Sequence, residues 1–396
     1  MSRASKVVSL LFVVYVAAIS VSRFASPRLN WDALGYVGVI ESRSTEDPVE
    51  IHQRAYGVLE SHASVDQFER LTEPTEYRRQ CFADPESFRQ QLMYYSIRPL
   101  YWGLAAGLSS ILDPFGVDTF VATYLISTIS YALLCLACFL FLRSRTSPIF
   151  AGLAAIGLSL YWPLFTKVSS SIPDILLAVF VLISFWLFLE RRVVWAALVL
   201  FVAVFVRTDI AIYNLIFGTL LLFRDLPRKS KVAAIALLGV SAVAASGVHN
   251  YFGYYGWATI FHVSMIEHLA YPAKAVISIS PETYFAVLGE YTLKTLSRPW
   301  IWGSAAAVAA YVILRRTRPW RLLPLTRLPR MLQAARAEEI ALLTIGLYFG
   351  ARQLIFPMSF ARFYLGQSLA VYLVTLVAVY EVVVAGSRRP ASAPKA

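Results

Sequence analysis

"DTFVATYLISTISYALLCLACFLFL", residues 118–142, runs from Asp118 to the arginine at 143 without an intervening charge. A helix needs about 20 mostly apolar residues to cross a hydrocarbon core ~30 Å thick, and this run is long enough. Comparable apolar runs recur at about 7–25, 148–166, 173–189, 193–206, 209–223, 231–248, 299–314, 339–356 and 364–385. The expected fold is therefore all-α, a polytopic membrane protein of about ten transmembrane helices in a single domain, 1–396. The runs at 193–206 and 209–223 are short for a span and are separated only by the turn at "VRTD", so a bent or broken pair is expected there.

Composition agrees. Hydrophobic residues make up 58% of the chain, mean hydropathy is +0.60, and only 15% of residues are charged, against about 25% in a soluble domain. The net charge of +12 does not read as a nucleic-acid footprint, because no basic run is interleaved with stacking aromatics. Most Lys and Arg residues instead flank the apolar runs in short loops: "RSR", "ERR", "RDLPRKSK" and "RRTRPWR". With ten crossings these loops fall on one side, together with both termini, and the Lys/Arg bias makes that side cytoplasmic. The basic loop 315–338 lies there, whereas 26–117 and 249–298 form outer segments. The first run follows Arg3 and Lys6 and could be a cleaved signal peptide. "SVSRFAS" is a poor small-x-small cleavage site, so an uncleaved anchor is the better reading. Cys135 and Cys138 lie inside an apolar run with no second pair, which makes them packing residues rather than a redox or metal motif. Cys81 has no other cysteine in the polar segments to pair with.

The outer segment 26–117 has helical periodicity. In "VEIHQRAYGVLE" Ile51, Ala55, Val58 and Leu59 share a face; in "VDQFERL" so do Val65, Phe68 and Leu71. "DPESFRQQLMYYSI" opens with Asp84 as N-cap and Pro85 at the first helical position, then aligns Phe88, Leu92 and Tyr95. Amphipathic helices beside a bilayer are expected to lie on it as an outer cap. The apolar stretch 98–112 is too short to span and fits a helix dipping into the outer leaflet. The second outer segment, 249–298, is rich in aromatics, as in "HNYFGYYGW", which suit an interfacial belt or sugar stacking.

Polar groups at membrane depth are costly, so each is a functional candidate. Asp32, Arg98, Asp174, Arg207 with Asp209, and Arg362 stand out near one water–lipid boundary. Asp32 could cap a helix or pair with Arg28; if Asn30 takes the cap, its carboxylate is left free. Asp174 sits where a helix dipole favours an acid. Arg207 lies between two apolar half-helices. A local pair with Asp209 is open to it, but residues two apart diverge on a helix, so an anionic partner elsewhere is expected. Arg362 could snorkel to headgroups. Taken together, arginines that fork onto phosphate beside an aspartate are equipment for moving a group from a lipid-phosphate carrier. His249, His262 and His268 fit many pockets and read individually as structural.

In order and spacing, nearly the whole chain resembles the type C glycosyltransferase superfamily. The shared elements are "NWDALGY" after the first helix, "IRPLYWGL" closing the outer loop, "SSSIPDILLA", "ERRVVWAALVLFVAVFVRTDI" and "ARFYLG". The resemblance implies a sugar transferred from a polyprenyl-phosphate-linked donor to an acceptor hydroxyl on the outer face of a bacterial cell membrane. It implies Asp32 as catalytic base, with Arg98, Arg207 and Arg362 on the donor phosphate and Asp174 in the substrate site. Many members pair two carboxylates and some use a metal. Asp32 has no acidic neighbour before Glu41, and Glu46 and Asp47 read as a solvated helix start, so no metal and no cofactor are expected. A transporter or flippase of a lipid-linked saccharide is the alternative, but no internal repeat supports it.

Overall fold

The computed structural model describes residues 3–275, 277–315, 332–333 and 335–387. Most of the basic loop expected at 315–338 lies outside these residues. The described chain is helical, and the only bridge-type pairing recorded in it is the isolated one between Arg28 and Ser170.

Four helices are long and apolar enough to cross a membrane: α1 (Arg3–Phe24), α9 (Thr119–Arg143), α15 (Arg228–Tyr251) and the last, α20 (Leu365–Ser387, preceded by a single 3₁₀ turn). The run expected at 148–166 stops early. It forms α10 (Pro148–Ser159) and the short α11 (Trp162–Phe165), because Pro163 cannot continue a helix. The runs at 173–189, 193–206 and 209–223 become α12 (Asp174–Leu189), α13 (Val193–Ala203) and α14 (Ile210–Leu222), all shorter than a standard span. The C-terminal half adds α16 (Trp257–Met265), α17 (Pro281–Leu296), α18 (Pro299–Arg315) and α19 (Ala337–Ile355).

α12 is apolar on every face and mostly buried, as a central helix must be. It packs against α9, α13 and α20, while α13 and α14 pack against α15. Leu10, Leu11, Val14 and Val21 of α1, like Val243 of α15, are exposed. Outward-facing apolar side chains along spanning-length helices suit a lipid solvent.

The segment after α1 folds into α2 (Trp31–Glu41), α3 (Pro48–His62), α4 (Val65–Thr72), α5 (Glu76–Ala83), α6 (Pro85–Gln91), α7 (Met93–Ser96) and α8 (Pro99–Leu112). Local chemistry starts them. Asp47 caps α3 ahead of Pro48, Ser64 and Gln67 form a capping box on α4, and Asp84 caps α6 ahead of Pro85. Ile51, Ala55 and Leu59 are buried on the expected face, as are Phe88, Leu92 and Tyr95. Val65 departs from expectation: it is 74% exposed, because the first residue of α4 lies beyond the edge of the packing. Cys81, Cys135 and Cys138 are free and buried.

Two glycines bring α2 onto this cap. A Cβ on Gly35 would sit 2.4 Å from the Tyr95 ring, and one on Gly38 would sit 2.7 Å from Leu92 and 2.8 Å from Phe88. That close approach fixes the height of Asp32 and Tyr36 on α2.

A candidate anion-binding cavity

The site is built where chain segments turn between helices at one end of the bundle. The backbone of Arg28 donates to Ser169 O at 2.9 Å. The loop carrying Ser169 is itself anchored to α9 through Thr123–Ser171 and Ser127–Ile172 O hydrogen bonds. This ties the segment entering α2 to the segment entering α12, bringing Asp32 towards Asp174. On another side, Leu100 N donates to Phe205 O at 2.9 Å, docking the start of α8 on the turn between α13 and α14.

Asp174, at the buried N-terminus of α12, accepts a hydrogen bond from Arg207. Arg207 also forks onto Asp209 at 3.0 and 2.7 Å. The sequence left that local pair open while expecting an anionic partner elsewhere, and the structure has both. Residues 204–209 form turns, and off the helix two residues so close in sequence can face each other. The external partner expected for Arg207 is Asp174. Asp209 reaches on to Arg352 Nε at 3.1 Å, and Arg352 donates to the Tyr364 hydroxyl at 3.3 Å. Arg352 is buried at the end of α19 and was not anticipated. Its signal was a charge inside the run "ALLTIGLYFGARQLIF".

A second group adjoins the first. Arg362 donates to Asp32 Oδ2 at 2.8 Å, and Asn30 donates to the same oxygen at 3.3 Å. Asn30 occupies the N-cap position of α2 without a capping bond from its side chain. Arg28, the other partner considered for Asp32, donates to Thr166 O instead. Four residues along α2, on the same helix face, Tyr36 accepts from Arg98. Phe363 joins the groups. The guanidinium carbons of Arg207, Arg352 and Arg362 lie 4.3, 4.5 and 5.1 Å from its ring centroid.

Burial raises the affinity of the Asp32 carboxyl for a proton. Arg362 and Arg98, with a smaller contribution from Lys167, more than offset it and hold the group below the usual carboxylate value. Burial lowers Lys167 itself.

A cavity of about 570 Å³ opens beside this cluster, a size suited to a small ligand, since such pockets span roughly 300–1,000 Å³. Its lining combines charged groups, Arg98, Arg207, Arg352 and Asp209, with the aromatic and imidazole rings of Tyr94, His249, Tyr254 and Trp257 and apolar Ile260, Ile355, Phe356 and Met358. Asp32, Asp174 and Arg362 are not on its lining. Asp174 backs Arg207, and Arg362 with Asp32 lies behind Phe363. All six residues singled out from the sequence thus fall in one cluster, and Arg98, Arg207 and Asp209 face the cavity. Among the described residues no group of three or more His, Cys, Asp and Glu could hold a metal ion.

Asp174 and Asp209 between them pair with Arg207 and Arg352, which leaves Arg98 as the excess positive charge on the lining. Arg98 has no carboxylate within salt-bridge distance among the described residues. Guanidinium N–H groups without protein acceptors bind oxyanions, above all phosphates. A scan of protein-family models, a search of curated proteins and a search of solved structures found no match to the chain. Fold and site define an all-helical protein with helices of membrane-spanning length and an arginine-walled cavity at one end of its bundle.

Proposed function

We propose that the protein is a membrane glycosyltransferase of the type C kind, moving a sugar from a polyprenyl-phosphate-linked donor to an acceptor hydroxyl. The observation that carries this reading is the excess of guanidinium groups over carboxylates around an open cavity, with the Asp32 carboxylate in the adjoining group. In this reading about ten helical segments cross the bacterial cell membrane, the shorter ones in its thinner, site-bearing interior. Both termini are cytoplasmic and the cavity opens on the outer face. Nucleotide-activated sugars are absent there, so a membrane-borne donor solves a supply problem.

The reaction is a single displacement with inversion at the anomeric carbon. The acceptor oxygen bonds to that carbon as the carbon–oxygen bond to phosphate breaks. The bonding pair leaves with the polyprenyl phosphate, and the acceptor's proton passes to Asp32. Arg98, Arg207 and Arg352 stabilise the charge that grows on the leaving phosphate. In the resting state Asp32 is a weak base, because Arg362 holds it. A donor phosphate bound by Arg98, which faces the cavity, offsets one of the two guanidiniums that hold Asp32 low and so raises its proton affinity. The base is thereby strengthened when donor is present.

Purified protein in detergent, given a radiolabelled polyprenyl-phosphate-linked sugar and acceptor lipids or glycans, tests the proposal. Transfer needs no sealed membrane, whereas a transporter or flippase works only across one. A protein inert in detergent that moves the lipid-linked sugar across vesicles would replace this reading with the transporter.

A further inference from the structure

Of the three histidines in the second outer segment, the fold brings one, His249, to the cavity. His268 instead contacts Val263 O and the Tyr77 ring, away from the cavity. His249 is held firmly. Its Nε2 lies 2.8 Å from Thr208 Oγ1, and its ring stacks on Tyr254 with centroids 4.3 Å apart and planes 18° from parallel. Thr208 lies between Arg207 and Asp209, so the same short turn that sets the phosphate-facing guanidinium also sets the histidine. Asn250 lines the cavity beside it, and Tyr94, also on the lining, carries a buried hydroxyl with no hydrogen-bond partner among the described residues.

Resting on the donor reading above, we infer that the part of the lining formed by His249, Asn250, Tyr254 and Tyr94 is the subsite for the donor's sugar, a sugar that carries no ammonium group. A sugar phosphoester joins its anomeric carbon to phosphate through one oxygen, so phosphate on the lining arginines leaves the ring against the rest of the lining. That part of the lining offers what a sugar needs: aromatic surface for C–H faces and hydroxyl, amide and imidazole groups for its hydroxyls. An amino sugar would place its ammonium near three arginines, with the one lining carboxylate, Asp209, already shared between two of them. A sugar without an ammonium group avoids that penalty, and its hydroxyls supply the partner that Tyr94 lacks.

The test is binding of two probes to purified protein in detergent: a polyprenyl phosphate without sugar, and the same lipid bearing a neutral hexose or pentose. His249→Gln and Tyr94→Phe are each expected to weaken the better-bound sugar-bearing lipid about ten-fold, the scale of one lost hydrogen bond to a well-built site, while leaving the sugar-free lipid within about two-fold. Tyr94→Phe removes one oxygen and keeps the ring, so it guards against a folding artefact in the first variant. Equal losses for both lipids, or no loss for either, would overturn the subsite assignment while leaving the donor reading standing. A wild-type protein that binds neither lipid would remove the donor reading, and the subsite with it.

Discussion

At the end of the bundle where α12 and α20 begin, Arg207 and Arg352 are 7% and 4% exposed and share Asp209 between them. At the end where α9, α12, α18 and α20 finish, Arg145 reaches Glu190 and Arg315 reaches Glu381, each acid about half exposed. The residue types are the same, but their surroundings differ. An exposed ion pair contributes ~0–1 kcal/mol and is screened by salt, so the pairs at that rim add little to stability. A buried guanidinium is costly to keep without partners, and at the cavity end guanidiniums outnumber carboxylates. An arrangement that retains surplus buried cations is suited to an anionic ligand.

The sharpest way to break this contrast is Asp32→Asn, which removes the proposed base and leaves a side chain of the same size. Transfer should fall by about 10²–10⁴-fold, the range for loss of a general base, with the helical circular dichroism unchanged. Wild-type transfer by this variant would remove Asp32 from the mechanism. Asp174→Ala should cost roughly 3–5 kcal/mol of stability by stranding part of the buried Arg207 charge, seen as a lower midpoint for thermal unfolding in detergent. Gly35→Val should cost about 1–3 kcal/mol by forcing the Tyr95 ring from the α2 face. It should slow transfer as well, since α2 carries Asp32; a stability loss with unaltered transfer would uncouple α2 from the site. Smallest of all, Glu190→Gln at the opposite end should change stability by less than about 1 kcal/mol and leave transfer alone.

The pH response adds a sign to the same contrast. Because the folded-state value of Asp32 is lowered, its pair with Arg362 contributes stability above the ordinary carboxylate range. That contribution is lost as pH falls through the lowered value. Between about pH 5 and 8 the pair should therefore give no slope to stability. Unfolding midpoints of wild type and Asp32→Asn, measured across that window, should run parallel and converge only in stronger acid.

How far the sequence carried the account depended on the range of each interaction. The long run at 118–142 matches α9 to within a residue, because an uninterrupted apolar stretch leaves a helix little choice. Boundaries failed where proline ended a run, as after Ser159. The count of about ten crossings rests on hydropathy, whereas length and composition in the structure support four spans. In the site, Asp32, Arg98, Asp174, Arg207 and Arg362 were visible as charges beside apolar runs. Their pairing was not. Asp32 and Arg362 lie at opposite ends of the chain and meet because the segment after α1 pairs with the loop before α12, and α12 packs on α20. Arg352 was visible by the same rule and was overlooked because its run was counted only as a span. Among three histidines in one segment, only tertiary packing could select His249.

The most direct test compares polyprenyl phosphate binding by wild type, Arg98→Gln and Arg145→Gln in detergent at low and high salt. Arg98 has no carboxylate partner of its own, so its removal strands no buried acid, and Arg145 reports the opposite rim. Affinity should fall at least about ten-fold in Arg98→Gln, consistent with a lost charge-assisted contact to phosphate, and stay at the wild-type value in Arg145→Gln. Equal affinity in all three proteins, or an equal drop at both ends, would contradict a cavity built to hold a lipid phosphate.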